Sequence, residues 1–166
     1  TWMLKFRERM EQAKRYVEFC AKVYQHQIDN NRYFLHEHPY LATGWGLSGI
    51  EKLMDREDVT RTLTHMCQFG MTSIVGGKGS ALGPVLKPTG FMTNRPCIAS
   101  QLARVCPEDH KHVHLVGGRA AGEAICPPGL CRAICRGLAA QLHEDRIGKV
   151  RSLAMNENRL LSFSMA

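Results

Sequence analysis

Tyr33-Phe34-Leu35-His36-Glu37-His38-Pro39 is the stretch on which the reading of the fold turns. An aromatic and aliphatic run that closes on a proline reads as a buried strand leading into a loop. Alternate residues of a strand share a face, so His36 and His38 point one way and Glu37 the other. The helical zinc pattern H-E-x-x-H needs histidines four apart, so a zinc-protease reading is rejected. Open α/β sheets place ligands beyond the carboxyl ends of their strands, which makes Glu37 a candidate catalytic carboxylate. A solvated strand-end carboxylate accounts for the same residue, because charged groups are mostly exposed.

Upstream of this strand, Phe6, Met10, Ala13, Val17, Cys20, Tyr24 and Ile28 recur at steps of three and four, which predicts one amphipathic helix from Trp2 to Ile28. Asp29-Asn30-Asn31 stops it. Downstream, Leu47, Ile50, Leu53 and Met54 mark a second helix opened by Ser48, and Val59 to Phe69 reads as a second strand. Gly76-Gly77-Lys78-Gly79-Ser80 is a hairpin tip. Val85-Leu86 and Phe91-Met92-Thr93 return as the partner strand, and Pro88 between them argues for a bulge or an edge position. Ile98, Leu102 and Val105 predict a third helix closed by Pro107, with an irregular or extended stretch from His110 to Val116. Pro127-Pro128 opens a fourth helix carrying Leu130, Ile134, Leu138 and Leu142. The periodicity then fades, so residues 1–142 read as one domain and 143–166 as a polar tail or linker. The order of elements predicts an α/β fold: a partial sheet with a C-terminal antiparallel hairpin and flanking helices.

The 166 residues, 44% hydrophobic and 22% charged, suit one globular domain and exclude wholesale disorder and collagen-like or low-complexity architectures. Neither a leader nor a membrane anchor is expected, so a nuclear or cytoplasmic location is. Lys and Arg outnumber Asp and Glu by 22 to 15, a net charge of +7 that argues for an anionic partner, nucleic acid first. The basic residues are spread along the chain, so an incidentally basic domain fits as well. Seven cysteines without regular spacing read as reduced thiols.

Five segments carry a resemblance: Tyr33 to Pro39, Met66-Cys67-Gln68-Phe69-Gly70-Met71, Leu86-Lys87-Pro88-Thr89-Gly90-Phe91-Met92-Thr93-Asn94, His110-Lys111-His112 and Leu130-Cys131-Arg132-Ala133-Ile134. Together, within residues 13–142, they resemble domains carried in retroelement polyproteins. More remotely they are similar to the carboxyl-terminal half of cytosine-5 DNA methyltransferases, where a Glu-Asn-Pro type motif precedes a Cys-x-Tyr/Phe-Gly strand and a Lys-Pro-Thr strand ending in Thr-Asn. The resemblance implies a partial Rossmann-like, class I methyltransferase sheet closed by an antiparallel hairpin. It implies DNA as the ancestral substrate, the upstream half of the same polyprotein as partner, and S-adenosylmethionine as cofactor of a complete domain, with none bound by these residues. It places Glu37 where the family's glutamate hydrogen-bonds the target base; such a carboxyl must hold or share a proton, so burial raising its pKa is expected.

The sequence departs from that pattern at the chemistry. The Pro-Cys motif of the nucleophile and the glycine-rich methyl-donor loop should precede the first helix, and neither stands there; His38 replaces the usual Asn. A non-autonomous methyltransferase-like fragment associated with nucleic acid is therefore expected, inactive by itself. Its rivals are a basic module that binds nucleic acid or a polyprotein partner without chemistry, and a remnant without activity. If missing strands would pair beside Tyr33 to Leu35, that edge is left open and self-association through it is expected.

Lys87, Thr89, Thr93, Asn94 and Arg95 form the candidate nucleic-acid contacts, offering two cations and several donors to a phosphate backbone or a base. A bulged edge strand closed by an Asx-type turn explains the Lys-Pro-Thr and Thr-Asn residues equally well. Cys97, Cys106, His110, His112 and His114 are a dense set of metal-ligand types. A straight helix would hold Cys97 and Cys106 about 13 Å apart, too far for one ion, so no metal site is assigned and the histidines read as surface residues. Cys131 and Cys135 read as small buried thiols. The glycine run lacks the G-x-x-x-x-G-K-[ST] spacing, which excludes a nucleoside triphosphate loop.

Overall fold

A computed structural model describes residues 2–75, 81–113 and 125–164. Helix α1 spans Trp2–Asp29. Asn31 ends it in the left-handed conformation at φ 54°, with its own N–H on Ile28 C=O (2.9 Å) and the Arg32 N–H on Gln27 C=O (2.7 Å). Asn tolerates that conformation better than other side chains, and the two bonds satisfy carbonyls the helix leaves open. The apolar stripe is covered only from Val17 onward; Trp2, Phe6 and Met10 lie exposed on the first turns.

Strand β1 (Leu35–Pro39) is followed by a 3-10 turn (Thr43–Gly46) and helix α2 (Ser48–Met54). Strand β2 (Thr60–His65) runs into a second 3-10 turn (Met66–Phe69), and strands β3 (Thr72–Ile74) and β4 (Leu82–Pro84) make a short antiparallel ladder. Strand β5 (Pro88–Thr93), helix α3 (Pro96–Leu102) and helix α4 (Pro128–Ser164) complete the chain. The hairpin is therefore one long bent arm, β2–β3 out and β4–β5 back; its tip, Gly76 to Ser80, lies outside the described residues.

The main sheet has the order β1-β5-β2. Leu35 pairs with Thr93 and Pro39 with Thr89, while Thr60 pairs with Thr93 and His65 with Pro88. Thus β5 is antiparallel to both neighbours, and β1 and β2 run the same way without touching. The α/β expectation holds at the level of mixed helix and strand with antiparallel sheets. The edge or bulge position expected from Pro88 is corrected: β5 is the central strand, and Pro88 is its first residue, where a missing N–H costs no interior ladder bond. On its outer side β1 pairs with no strand among the described residues.

Both faces of β5 are covered, which is why almost every residue of it is buried. Met92 joins Ala21, Phe34, Trp45, Ile50, Leu53 and Val59 under α1 and α2. Phe91 joins Met66, Phe69, Met71, Val85, Ile98, Leu102, Leu130 and Ala133 under α3 and α4. Helix α4 runs without interruption through residue 142, where the polar tail is expected to begin, to Ser164. The third helix stops at Leu102, short of Val105, which is exposed. No helix of the described residues is long and apolar enough to cross a membrane.

Helices α3 and α4 are in close backbone approach at Gly137, where a Cβ would lie 2.7 Å from Ile98 Cα and 3.0 Å from Cys97 O. Glycine to alanine inside a helix ordinarily stabilises by about 0.5–1 kcal/mol. Here the obstacle is backbone, so Gly137→Ala is expected to destabilise by about 1–3 kcal/mol. Gly148→Ala in the same helix, where a Cβ meets nothing within 4 Å, is expected to show the ordinary gain. Urea midpoints of the two variants, read at unchanged slope, check this.

Candidate functional site

His36 and His38 share a face of β1, as the strand alternation requires, and both pack edge-on or tilted around Trp45 with ring centroids 5.2 and 5.8 Å away. His36 is buried, and its Nδ1 is 3.0 Å from the Tyr24 hydroxyl. Burial, with His38 adding like charge, pushes its pKa down to about 4. Trp45 donates its indole N–H to Pro39 C=O (2.8 Å), and the Arg61 guanidinium stacks over its ring, 4.0 Å from the centroid. This end of β1 is therefore a packed aromatic and histidine cluster.

Glu37 lies on the opposite face, in register with Phe91, and is exposed. The burial expected around it is absent, because it stands on an edge strand beyond the reach of the core that covers Leu35. It makes no hydrogen bond among the described residues. The sequence does contain one Pro-Cys pair, Pro96-Cys97, but it follows β5 and opens α3.

Of the five candidate nucleic-acid contacts, three are spent on the protein itself. Thr93 is fully buried and donates its hydroxyl to Phe34 C=O (2.6 Å). Asn94, also buried, accepts from the Phe34 N–H (3.1 Å) and donates to Arg32 C=O (2.9 Å), clamping the chain as it enters β1. Thr89 is buried and donates to Lys87 C=O (3.1 Å). Lys87, at φ 32°, and Arg95 flank opposite ends of β5, whose six residues span about 20 Å at the rise of a strand, so the five do not converge.

Arg95 belongs to a different assembly. Its guanidinium stacks on Tyr33, 4.2 Å from the ring centroid, and its Nε is buried without a hydrogen-bond partner. Tyr33 donates its hydroxyl to Asp145, which also accepts from Gln141 Nε2 (2.8 Å). Those two bonds hold the Asp145 carboxyl below the usual carboxylate range, and the bond to Asp145, with burial, pushes the Tyr33 phenol up. Gln141 in turn accepts from the Cys97 N–H (3.2 Å), tying α4 to the start of α3. Around this network Arg95, Arg146, Lys149, Asn31 and Ser152 line an open groove of about 890 Å³. Three cations surround one carboxylate whose oxygens are already engaged, a chemistry suited to phosphates. The signal for Arg146 and Lys149 was in the sequence. Leu142, Asp145, Lys149 and Ser152 keep helical spacing beyond the point where apolar periodicity fades.

A third grouping joins distant parts of the chain. Cys67, from the 3-10 turn after β2, meets Cys106, His110 and His112, from the segment after α3, with one ligand-type atom of each within 4.8 Å of all the others. Burial and the Cys106 sulfur beside it push the Cys67 thiol up. Cys97, the partner weighed for Cys106 on sequence, stands elsewhere, and His114 lies outside the described residues. Cys131 and Cys135 are exposed, not buried, because they fall on the side of α4 away from Leu130 and Ala133.

No protein-family model matches this chain, and no curated protein or solved structure is significantly similar to it.

Proposed function

We propose that this chain is a nucleic-acid-associated module, the carboxyl-terminal half of a methyltransferase-like sheet of the kind carried by retroelements, and that it binds by charge without catalysing methyl transfer. The observation that carries the reading is the groove in which Arg95, Arg146 and Lys149 meet beside Tyr33. The net charge of +7 adds long-range attraction for a polyanion. The antiparallel β5 between two strands of common direction is compatible with the hairpin-closed end of such a sheet. The exposure of Glu37 argues against a base-protonating role, since that role needs a carboxyl withdrawn from water.

The test is fluorescence anisotropy with duplex DNA, single-stranded DNA and RNA across a salt series. Three phosphates neutralised in the groove give a log–log salt slope of about −2 to −3 on duplex DNA. Arg146→Glu with Lys149→Glu, both on the exposed side of α4, is expected to weaken binding at least about 10-fold and to flatten the slope by about 2. Equal affinity of the charge-reversed and parent chains, or no binding of any nucleic acid at low salt, would sink the proposal.

A further inference from the structure

We propose that Cys67, Cys106, His110 and His112 bind one zinc ion in a closed, structural Cys2His2 site. Cys106 Sγ lies 3.6 Å from His110 Nε2 and 3.4 Å from His112 Nε2. Zinc at about 2.3 Å from sulfur and 2.0–2.1 Å from nitrogen, with tetrahedral angles, needs sulfur–nitrogen edges of about 3.5 Å. All four ligand atoms lie within 4.8 Å of one another, so small side-chain shifts bring every one to a single ion. Two sulfurs and two imidazoles are the donor set that zinc prefers, and a full set of four protein ligands leaves no open position for a substrate.

The surroundings are those of metal ligands. His110 turns Nε2 to the cluster while its Nδ1 is 2.6 Å from Asp109 Oδ1, the outer carboxylate that fixes a ligating imidazole. Cys106 Sγ accepts the Glu108 N–H (3.3 Å), a bond that offsets thiolate charge, and Glu108 takes a left-handed φ of 62° where the chain curls around that sulfur. The Cys106 N–H is held by His65 Nδ1 (3.0 Å), at the end of β2. A disulfide between the two cysteines would leave the convergence of both imidazoles without a purpose.

The ion would fasten the irregular chain after α3 to the turn after β2. Lys111, the residue between the two histidines, lines with Lys87 a cavity of about 670 Å³ beside the site, so the same ion would set where that lysine stands. The inference is independent of the nucleic-acid reading.

The test uses the full chain, reduced and stripped of metal, titrated with Co²⁺ and then with Zn²⁺. One equivalent of Co²⁺ is expected to give a tetrahedral visible spectrum with the sulfur-to-cobalt charge transfer of two thiolates, and one equivalent of Zn²⁺ to erase it. Cys67→Ser and Cys106→Ser are each expected to lose at least about half the charge-transfer intensity, while Cys97→Ser and Cys131→Ser leave it unchanged. Because an unfolded variant also loses the band, His112→Cys serves as the complement: a third thiolate raises the intensity by about half with the fold retained. An octahedral spectrum or no stoichiometric binding by the parent chain overturns the site, as does an unchanged spectrum in Cys67→Ser.

Discussion

Asn94→Ala is expected to lose about 2–4 kcal/mol of stability and leave nucleic-acid affinity of the folded protein within about twofold of the parent. The side chain is 4% exposed and bonds both a backbone donor, Phe34 N–H, and a backbone acceptor, Arg32 C=O. Alanine leaves both groups in a buried site without partners, and an unsatisfied buried polar group costs about 1–3 kcal/mol. Against a total stability of about 5–15 kcal/mol for a domain this is a large loss. Urea denaturation measures it, and anisotropy at a concentration where the variant is folded measures affinity. The reverse pattern, parent-like stability with weakened binding, would return Asn94 to the nucleic-acid interface and overturn the role assigned here.

Acidification is expected to weaken the fold in two steps, the first through His36. Its folded pKa of about 4 lies below the ordinary 6.5, so between those values the unfolded chain binds the extra proton. The stabilisation is complete above about pH 6.5 and is lost as pH falls toward 4, to an extent of about 2–3 kcal/mol. The groups that face this ring are His38, whose charge opposes protonation, and the Tyr24 hydroxyl, which burial pushes up to about 12 and so keeps neutral throughout. Asp145 and Asp58, both held below 3.8, add a second loss beneath pH 4. His36→Gln is expected to flatten the first step and keep the second. Thermal melts from pH 7.5 to 3 follow both, and a parent-like slope in His36→Gln between pH 6.5 and 4 would remove this ring as the cause.

How much of this was legible depended on distance along the chain. Steps of three and four gave α1, its Asn stop and the opening of α4, because those signals are local. Alternation placed His36 and His38 on one face and Glu37 on the other for the same reason. The insertion of β5 between β1 and β2 was not legible, since register between distant strands is set by which cores they share: Met92 fills one face and Phe91 the other. Thr93 and Asn94 have the same letters whether they meet a phosphate or the backbone of Arg32 and Phe34, so their bonds to that backbone were not legible. Helical rise separates Cys106 from Cys97, the cysteine nearest to it in sequence, whereas its neighbour in space, Cys67, arrives from the turn after β2 and could not be reached by counting. The loss of apolar rhythm after His143 reflects the mostly exposed course of α4 over residues 144–152, and helix propensity with polar spacing carries it onward.

The central place of β5 also fixes an order of events at the ribosome. Leu35 and Thr60, on strands of common direction, are both synthesised long before Thr93, the one residue with which each is paired. Until β5 has left the exit tunnel the nascent chain holds two strands with no ladder between them and four apolar side chains, Phe34, Trp45, Ile50 and Leu53, with no Met92 to close over. Synthesis of the middle third is thus the interval in which this chain most needs a chaperone, and a pause in translation before β5 emerges would prolong it.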